Sequence, residues 1–573
     1  MVQQNLKKLI EEVLKKLQEQ DLPDFEIPEV KVEHPEQDQH GDYATNVALA
    51  LSDKAEMSPV ELAKKIKKEI ETSFVEKVEV AEPGFINFFL KDSYFQKQAS
   101  KILTEGRNFG SKNTAERKEV MVEYGQPNTH KLPHVGHFRS YSLGESLARL
   151  LEFNGYDVVR ANYQGDVGLH VAKCLWGYQQ KGFEDLPAGR QGQEKLEDNI
   201  EQLQKAYQYG AQQYEDNEQA QQEIEELNNK IQRKDESIKD LWKKTRQWSI
   251  DYYDELQEKL GINYDHLFFE SEVSEKAKQI VEDNLGEVFE KSEGAIIFPG
   301  SDYDLHDRVF ITSDGNPTYE AKDLALAFLK KEDFNYDLSL ISTASEQIEY
   351  FKVVYKALEQ IEPELAEKFV HVPFGLISLK GGELSSRKGN IVSIDELLQQ
   401  VRESLTSLVK EKKGEPQQEE ISKLVTGACK YSLLKNTPIK DMTFDVEQSI
   451  DLEGDSGPYL QYTNVRALSI LEKEAAPEKF DETLLKKDKE IKLLKTLSQF
   501  PEVVDKAAEG YKPNLICNYL FDLAQQFNTF YEDIPVLKAG EDTKKARLAL
   551  VKATNQVLEN GLYLLGINTP QQM

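Results

Sequence analysis

The sequence has little of what disulfide-bonded, zinc-stabilised or membrane-spanning proteins contain. Its three cysteines, Cys174, Cys429 and Cys517, are scattered and form no CxxC pair, so they predict neither a disulfide framework nor a structural zinc site. No apolar run reaches the roughly 18 to 20 residues that a membrane-spanning helix needs. The first twenty residues show an amphipathic helical pattern without the apolar core of a signal peptide. We expect a cytoplasmic protein with no membrane partner and no protein-bound structural metal.

Positive charge is also scarce. The 573 residues include 71 lysines and arginines against 101 aspartates and glutamates, which gives a formal net charge of -30. Over the whole chain this charge disfavours a nucleic-acid partner. Binding depends on where the charge lies, however, and an acidic chain can still carry a basic track on one face.

The chain is too long for one core, so several domains are expected. Residues 1–113 have the pattern of a small α+β domain, in which Ser58 is a candidate N-cap and Pro83 and Gly84 lie at the turn of a strand pair. Beyond this, "RKEVMVEYG", a loop, an apolar helical face and "YDVVRANY" make a βαβ unit, the beginning of a doubly wound parallel sheet. We assign 114–400 to this α/β domain and 401–573 to a C-terminal helical bundle.

The α/β domain contains a charged insertion at about 178–265. From about 180 to 245 it is rich in Gln, Glu and Lys, and its apolar residues keep the 3-4 spacing of helices. The pattern predicts an α-hairpin arm with solvated outer faces, and we assign it no catalytic role.

The loop "NTHKLPHVGHFRS" places His134, Gly136 and His137 where a strand gives way to a helix. A metal site, a phosphate cradle and a helix cap are possible interpretations. A metal site needs a third ligand, which neither a cysteine nor an HExxH pattern supplies. A helix N-terminus attracts negative charge, imidazole N–H groups can donate to phosphate oxygens, and Gly136 leaves room for a flat base. The turn therefore favours nucleotide binding.

A second loop, "GGELSSRKGN", is glycine-rich and basic. Its polar side chains are hydroxyls and cations, which suit a polyphosphate and a departing pyrophosphate; they are Ser385, Ser386, Arg387 and Lys388. Such loops are common at surfaces, and the assignment gains weight because both loops bracket one α/β domain.

HVGH and "LSSRKGN" resemble the HIGH and KMSKS elements of class I aminoacyl-tRNA synthetases. The stretches "VEYGQPNTHKLPHVGHFRS", "ANYQGDVGLH", "DLEGDSGPYLQYTNVRALSIL" and "ARLALVKATNQVLENGLYLLGINTPQQM" resemble the arginyl-tRNA synthetase family, and "GDYATNVALAL" with "EPGFINFF" resembles its appended N-terminal domain. The likeness runs from about residue 40 to the C-terminus and is weakest in the arm. It implies a Rossmann-type catalytic domain, an N-terminal domain that contacts tRNA and a C-terminal anticodon-binding domain. It also implies L-arginine, ATP with Mg²⁺ and tRNA(Arg) as substrates, a monomer, and no DNA partner.

The second loop departs from the family pattern. Glu383 stands where KMSKS begins with lysine, and Ser386 stands in place of the second lysine. Arginyl enzymes with an altered loop often carry a lysine just ahead of HIGH, and Lys131 occupies that place. The resemblance therefore implies that Lys131, with His134, His137, Arg387 and Lys388, acts on the phosphates.

A guanidinium group presents five donors and a fixed charge, so its pocket needs carboxylates. Glu123, at the end of a predicted strand, and Asp323, one helical turn after Tyr319, are candidates. By resemblance these three surround the guanidinium. The resemblance further assigns the polar end of the amino acid, or its neighbourhood, to Asn128, Asp166 and Gln347, and contacts with tRNA bases to Tyr459, Tyr462 and Arg466.

Two other functions stay open from the sequence. A small-molecule adenylyltransferase would share HVGH but would need neither the arm nor the C-terminal bundle. A non-catalytic tRNA-binding relative would keep the domains and lose the loop chemistry, as the glutamate at position 383 would allow.

Overall fold

The computed structural model describes residues 2–35, 37–112, 117–182, 192–381, 392–413 and 417–571. Across these ranges the helices, in chain order, are α1 (Val2–Gln20), α2 (Val47–Leu51), α3 (Pro59–Glu69), α4 (Asp92–Glu105), α5 (Val135–Phe153), α6 (Leu169–Lys181), α7 (Gly192–Asp216), α8 (Glu218–Gln232), α9 (Glu236–Lys259), α10 (Glu270–Asp283), α11 (Tyr319–Asp333), α12 (Ile348–Ile361), α13 (Pro363–Ala366), α14 (Ile394–Lys413), α15 (Gln418–Leu434), α16 (Val446–Ser449), α17 (Gly457–Lys473), α18 (Asp488–Glu509), α19 (Asn514–Asp533) and α20 (Glu541–Leu564). The strands are β1 (Tyr43–Thr45), β2 (Val75–Ala81), β3 (Phe85–Leu90), β4 (Glu119–Glu123), β5 (Asp157–Gln164), β6 (His266–Phe269), β7 (Glu290–Ser292), β8 (Ala295–Phe298), β9 (Arg308–Ile311), β10 (Leu338–Ala344), β11 (Phe369–Phe374), β12 (Ile377–Leu379) and β13 (Met442–Phe444).

The chain divides into two compact units. The first comprises 1–110, 466–503 and 522–558, and the second comprises 111–465, 504–521 and 559–573. Within the described ranges, no helix combines the length and the apolar character that crossing a bilayer requires.

The first unit contains a small antiparallel sheet in the order β1-β3-β2. The predicted strand pair is confirmed, since β2 and β3 join at a turn in which the Gly84 N–H donates to the Ala81 carbonyl. Ser58 caps α3, and its hydroxyl and the Glu61 carboxylate satisfy each other's backbone N–H groups in a capping box. Glu502 accepts a hydrogen bond from the buried Tyr43 hydroxyl at 2.8 Å.

The second unit is built on a five-stranded parallel sheet in the order β11-β10-β4-β5-β6. Renumbered by their order along the chain, and read from the β6 edge, the five strands run 3-2-1-4-5, the order of a Rossmann-type doubly wound sheet. The chain reverses its winding direction between β4 and β10, so the carboxyl ends of these strands mark the crevice where such sheets bind ligands. The predicted fold class is confirmed.

Helix α5 packs tightly against this sheet. Leu143, Leu147 and Leu150 are buried, as their spacing predicts. A Cβ at Gly144 would lie 2.0 Å from Cγ of Tyr124, so the glycine is what lets the helix approach the end of β4. Asn154 is the C-cap, and Gly155 follows in a left-handed conformation with φ +87°.

The inserted arm differs from the predicted hairpin. It contains three long helices, α7, α8 and α9, because the apolar 3-4 spacing continues through the charged stretch after residue 232. Close packing of α7 on α6 depends on two glycines: a Cβ at Gly177 would lie 2.1 Å from the Ala206 carbonyl oxygen, and a Cβ at Gly210 would lie 1.9 Å from the Lys173 carbonyl oxygen.

The chain beyond residue 400 is mostly helical, as predicted, with one addition. The short strand β13 pairs in parallel with β12, which follows the catalytic sheet in the chain. The guanidinium of Arg139 on α5 donates to carbonyl oxygens on both sides of this pairing, including Gly375, Pro438 and Lys440.

Candidate active site

A cavity of about 950 Å³ opens at the carboxyl edge of the parallel sheet. Four strand ends border it, at Glu123, Gly165, Ala344 and Phe374. The N-terminus of α5 and one face each of α11 and α12 form much of the remaining wall. The cavity therefore lies where the strand order predicts a ligand.

The HVGH turn forms one end of this cavity. Helix α5 begins at Val135, and His134 is its N-cap, with extended backbone at φ -113° and ψ 176°. The Gly136 N–H donates to Nδ1 of His134 at 3.0 Å, and the His134 N–H donates to Nδ1 of His137 at 3.1 Å. Each imidazole therefore satisfies a backbone donor that the first helical turn would otherwise leave open. The helix-cap interpretation and the nucleotide interpretation are thus compatible, since one nitrogen of each ring does the capping.

The same hydrogen bonds fix the chemical state of both rings. Nδ1 accepts in each case, so the proton lies on Nε2, which is left as a donor. Burial, reinforced by the charge of Lys131, lowers the pKa of His134 to about 4. Burial also lowers the pKa of His137 well below its ordinary value. Near neutral pH the turn presents two neutral N–H donors.

Gly136 has a steric role beside the one predicted for it. It lines the cavity, so a flat group can approach its backbone. A Cβ at this position would also lie 2.8 Å from Cε1 of His134. Any side chain here would push the His134 ring out of its capping position.

Lys131 lies next to this end of the site but does not line the cavity. Its side chain is half-buried, and Nζ lies 4.8 Å from the ring centroid of Tyr207 on α7. Its charge contributes to lowering the pKa of both His134 and His137.

The opposite end of the cavity contains buried charge. Asp323 on α11 accepts a hydrogen bond from the Tyr350 hydroxyl at 2.5 Å. Among the described residues no lysine, arginine or histidine forms an ion pair with it. Burial raises the pKa of Asp323 to about 7. The charges of Glu123 and Glu270 add to this, while the Tyr350 hydrogen bond and the charge of Lys330 oppose it.

Two further carboxylates in this region have lysine partners. Glu123 pairs with Lys330, and both side chains are almost fully buried. Glu270 accepts a hydrogen bond from Lys322 at 2.9 Å, and both of these are also buried. Glu123 was predicted as a guanidinium ligand, and it lines the cavity with one oxygen already bound to Lys330 and the other 3.1 Å from the Gln126 amide nitrogen.

Of the remaining predicted amino-acid ligands, three line the cavity and one does not. Asn128, Tyr319 and Gln347 are lining residues. Asp166 is fully buried behind it, where its carboxylate accepts hydrogen bonds from the backbone and hydroxyl of Ser271 and pairs with Arg246 at 2.8 Å. It braces the end of β5 from a position outside the cavity wall.

Two tyrosine hydroxyls on the cavity wall lack a hydrogen-bond partner among the described residues. They are the hydroxyls of Tyr163 and Tyr355, and both are shielded from solvent. A buried hydroxyl without a partner is costly, at about 1 to 3 kcal/mol. A polar ligand bound in the cavity would supply the missing hydrogen-bond partner.

Several of these groups were absent from the sequence prediction: Glu270, Lys322, Lys330, Tyr163 and Tyr350. Lys330 could have been predicted from helical spacing. Continuing the Tyr319–Asp323 spacing along α11 reaches Leu326, Ala327 and Lys330, and all five of these residues line the cavity. Lys322 is also on α11, whereas Tyr163, Glu270 and Tyr350 come from β5, α10 and α12, whose proximity depends on sheet order.

The predicted phosphate-binding loop and its departures from the family pattern, Glu383, Ser385, Ser386, Arg387 and Lys388, lie outside the described residues. Within the described ranges no three His, Cys, Asp or Glu side chains are arranged to hold a metal ion.

The predicted tRNA-contacting residues have protein partners. Tyr459 is 9% exposed and packs on Phe521, with ring centroids 5.7 Å apart. Tyr462 is half-buried. Arg466 donates to Asn528 at 2.5 Å and lies 5.5 Å from the ring centroid of Tyr531. Their contact with RNA stays a prediction.

Three family models match successive parts of the chain. A class I tRNA synthetase (R) catalytic domain matches residues 98–446, a DALR anticodon binding domain matches 460–573, and an arginyl tRNA synthetase N-terminal domain matches 4–90.

Curated proteins and solved structures are similar over the whole length. An arginine–tRNA ligase of Halothermothrix orenii is 32% identical, over 97% of this chain and 98% of the relative, and one of Clostridium perfringens is 33% identical, over 99% and 100%. The arginyl-tRNA synthetase of Thermus thermophilus superposes with a TM-score of 0.83 at 26% identity, and that of Plasmodium falciparum with 0.80 at 20% identity. Each comparison covers 100% of this chain, and 100% and 99% of the respective structures.

Proposed function

The chain belongs to the arginyl-tRNA synthetase family, an ATP-dependent class of ligases that attach arginine to tRNA(Arg), and from this premise we propose which of its residues perform each part of the reaction. In the first step an oxygen of the arginine carboxylate attacks the α-phosphorus of Mg-ATP. The bond to the β-phosphate oxygen breaks, and arginyl-adenylate and pyrophosphate form. In the second step the 2′-hydroxyl of the terminal tRNA ribose attacks the arginyl carbonyl, and AMP leaves.

The guanidinium binds at the acidic end of the cavity. Two buried carboxylates (Glu123 and Glu270) and the half-buried Asp323 face two buried ammonium groups (Lys322 and Lys330). Three negative charges against two positive charges leave one negative charge without a partner. A guanidinium supplies one fixed positive charge and a planar set of donors, so it completes the pocket.

The observation that carries this assignment is Asp323. It is half-buried on the cavity wall, and it forms no ion pair with any described residue. A carboxylate in that state is unstable when ionised and gains most from a cationic ligand. Tyr319, which is exposed at the cavity wall, closes over the guanidinium. Asn128 and Gln347 receive the α-amino and carboxylate end, while Asp166 fixes the backbone of Gly165 between them.

Phosphate chemistry takes place at the HVGH end. The neutral His134 and His137 rings donate from Nε2 to phosphate oxygens as negative charge grows during attack. Neutral donors suit this task, because their protonation state does not have to change as pyrophosphate leaves. Lys131 supplies a positive charge, and Ser385, Ser386, Arg387 and Lys388 also act on the phosphates.

The remaining assignments concern RNA and assembly. The N-terminal domain, 1–113, contacts tRNA outside the anticodon, and the C-terminal domain, 401–573, binds the anticodon with Tyr459, Tyr462 and Arg466 among its contacts. The active form is a cytoplasmic monomer that binds no DNA.

Pyrophosphate exchange with tRNA present tests the proposal most directly. Arginine should support exchange, and citrulline, which has nearly the same shape but no charge, should fail even at high concentration because the uncompensated Asp323 requires a cation. Exchange with citrulline at a rate close to that with arginine would reject the charge argument. Tight tRNA binding without any exchange would identify a non-catalytic relative.

A further inference from the structure

Side chains of the inserted arm hold the loop that leads into the HVGH turn. On α9, Ser249 accepts a hydrogen bond from the His130 N–H at 3.0 Å, and the Thr245 hydroxyl lies 2.8 Å from Nε2 of His130. The Tyr253 hydroxyl lies 2.6 Å from the Asn128 carbonyl oxygen and 2.8 Å from that of Lys131. The backbone from 128 to 131 is therefore shaped by the arm.

This support matters because the loop is strained. His130 has φ +64°, in the left-handed region that side chains with a Cβ rarely adopt. The conformation persists only where surrounding contacts determine it. Here those contacts come from α9, which also binds Asp166 through Arg246 and through the Trp242 indole N–H.

The arm also contacts the side chains of this loop. Leu132 packs with Leu203, Ala206 and Tyr207 in one apolar cluster. The Lys131 ammonium lies 4.8 Å from the Tyr207 ring centroid, within the range of a cation–π contact. No carboxylate among the described residues pairs with Lys131.

The choice of an aromatic partner has an electrostatic consequence. A carboxylate beside Lys131 would restrain the side chain but would cancel its field. A ring face restrains the ammonium and leaves its net charge intact. The field of Lys131 does reach the turn, since it contributes to the lowered pKa of His134 and of His137.

We propose that Tyr207 is a positioning residue, which holds the uncancelled charge of Lys131 toward the phosphate end of the active site and thereby makes the inserted arm part of the machinery for adenylate formation. The proposal rests on the phosphate role given to Lys131 under the proposed function. Helix α7, whose sequence shows only a charged, solvated pattern, thereby has a function in the reaction.

The test is a double-mutant cycle measured by single-turnover adenylate formation with saturating arginine, ATP and tRNA. Tyr207→Phe keeps the ring and should stay within about twofold of the parent. Tyr207→Leu keeps apolar bulk but loses the π face, and should slow the step about 3- to 30-fold. In a Lys131→Ala background, Tyr207→Leu should cause no further loss, because the residue acts through the lysine.

The same helix supplies a matched control. Tyr214 on α7 carries Lys173 over its ring, with Nζ 4.0 Å from the centroid. Tyr214→Leu breaks a contact of the same kind on the same helix and should leave the rate at the parent value. Melting temperature and arginine affinity, measured for each variant, report any general damage to the arm.

The outcomes distinguish a failure of the phosphate role of Lys131 from a failure of the positioning role of Tyr207. If Lys131→Ala stays within about threefold of the parent, on a scale where tenfold corresponds to about 1.4 kcal/mol, the phosphate role of Lys131 fails and the inference fails with it. If Lys131→Ala is slow while Tyr207→Leu matches the parent, only the inference is overturned. An equal effect of Tyr207→Leu in both backgrounds would mean a structural role independent of Lys131, and would also overturn it.

Discussion

Under the proposed function, the two ends of the active-site cavity recognise charge in opposite ways. At the end where we propose that arginine binds, the buried Glu123 and Glu270 pair with buried lysines, and the half-buried Asp323 has no partner ion among the described residues. At the HVGH end, where we propose that the phosphates bind, His134 and His137 present neutral imidazoles, and the Lys131 ammonium lies against the Tyr207 ring.

The contrast follows from when the ligand carries its charge. A guanidinium is positive before, during and after the reaction, so a fixed opposite charge in a dry pocket can select it from the outset. The α-phosphate gains charge only as the carboxylate attacks. Donors already oriented by the first turn of α5 can meet that charge without rearrangement. Permanent charge is matched by permanent charge, and transient charge is matched by oriented dipoles.

The largest effect should come from neutralising the arginine end. Asp323→Asn preserves shape and leaves an oxygen for the Tyr350 hydroxyl, but it removes the charge that the guanidinium pairs with. Losing one partner of a buried pair costs about 3 to 5 kcal/mol, so kcat/KM for arginine should fall roughly 150- to 5000-fold while ATP affinity stays near that of the parent. Steady-state exchange kinetics in both substrates measure this.

The control for that variant is Asp314→Asn, which makes the same chemical change at an exposed turn. It should behave as the parent does. Without arginine, Asp323→Asn should also melt at a higher temperature than the parent, because a buried ionised carboxylate with no counter-ion destabilises the fold. Unchanged arginine kinetics in Asp323→Asn would remove this residue from the pocket.

A somewhat smaller loss should follow a change at the phosphate end. In His137→Asn the side-chain oxygen can still accept the His134 N–H, so the cap survives, while the Nε2 donor is lost. Removing one preorganised donor costs about 2.7 to 4 kcal/mol, or roughly 100- to 1000-fold in rate. Single-turnover adenylate formation should show it with arginine affinity nearly unchanged, and loss of arginine binding instead would contradict the division between the two ends.

The pH dependence should distinguish the two ends as well. Asp323 has a pKa of about 7 in the empty pocket, raised from its ordinary value of 3.8 mainly by burial. Below pH 7 a proton must leave before the guanidinium can bind the carboxylate, so arginine affinity should fall about tenfold from pH 8 to pH 6. Glu123, Glu270 and Lys330 face the same carboxylate, and all three belong to ion pairs.

The phosphate end should not follow that curve. With the pKa of His134 at about 4, both imidazoles stay neutral from pH 6 to pH 8, and the single-turnover rate at saturating arginine should be flat.

The effect of rising pH on the stability of the arginine-free protein is opposite in sign to its effect on arginine affinity. Between about pH 4 and pH 7 the native state keeps a proton on Asp323 that the unfolded chain has lost, so this group lowers the stability of the arginine-free protein as pH rises. Calorimetric titration at three pH values, with Asp323→Asn as the flat control, measures the binding side.

Local patterns predicted the parts of the site that are close in sequence. The HVGH turn needs only a strand end, a helix start and two imidazoles three residues apart, and the structure places these in that arrangement. Helical spacing placed Tyr319 and Asp323 on one face, the family resemblance assigned both to the guanidinium, and both line the cavity. The parallel sheet followed from one βαβ unit, since doubly wound topology has few alternatives.

The site residues that were not predicted from the sequence either depend on the long-range order of the strands or lie in a stretch whose composition obscures them. Glu270 reaches the cavity because β6 pairs with β5, and no local pattern encodes that neighbour. Tyr207 and Arg246 lie in a stretch whose abundant Gln, Glu and Lys resemble an ordinary solvated face, so their inward contacts were hidden among similar residues.

The smallest effect should come from a hydroxyl at the boundary of the acidic end. Tyr163 lines the cavity, and its buried hydroxyl has no hydrogen-bond partner among the described residues. If bound arginine supplies that partner, Tyr163→Phe should lower kcat/KM for arginine by about 2- to 10-fold, the range of one hydrogen bond at 0.5 to 1.5 kcal/mol. The empty protein should respond in the other direction, because the variant no longer buries an unsatisfied hydroxyl and its melting temperature should rise slightly. Thermal melting with and without saturating arginine measures both effects at once, since the arginine-induced increase should be smaller in the variant than in the parent. An equal increase in both proteins would mean that the hydroxyl finds its partner elsewhere, and that the ligand's charge alone accounts for recognition at this end of the cavity.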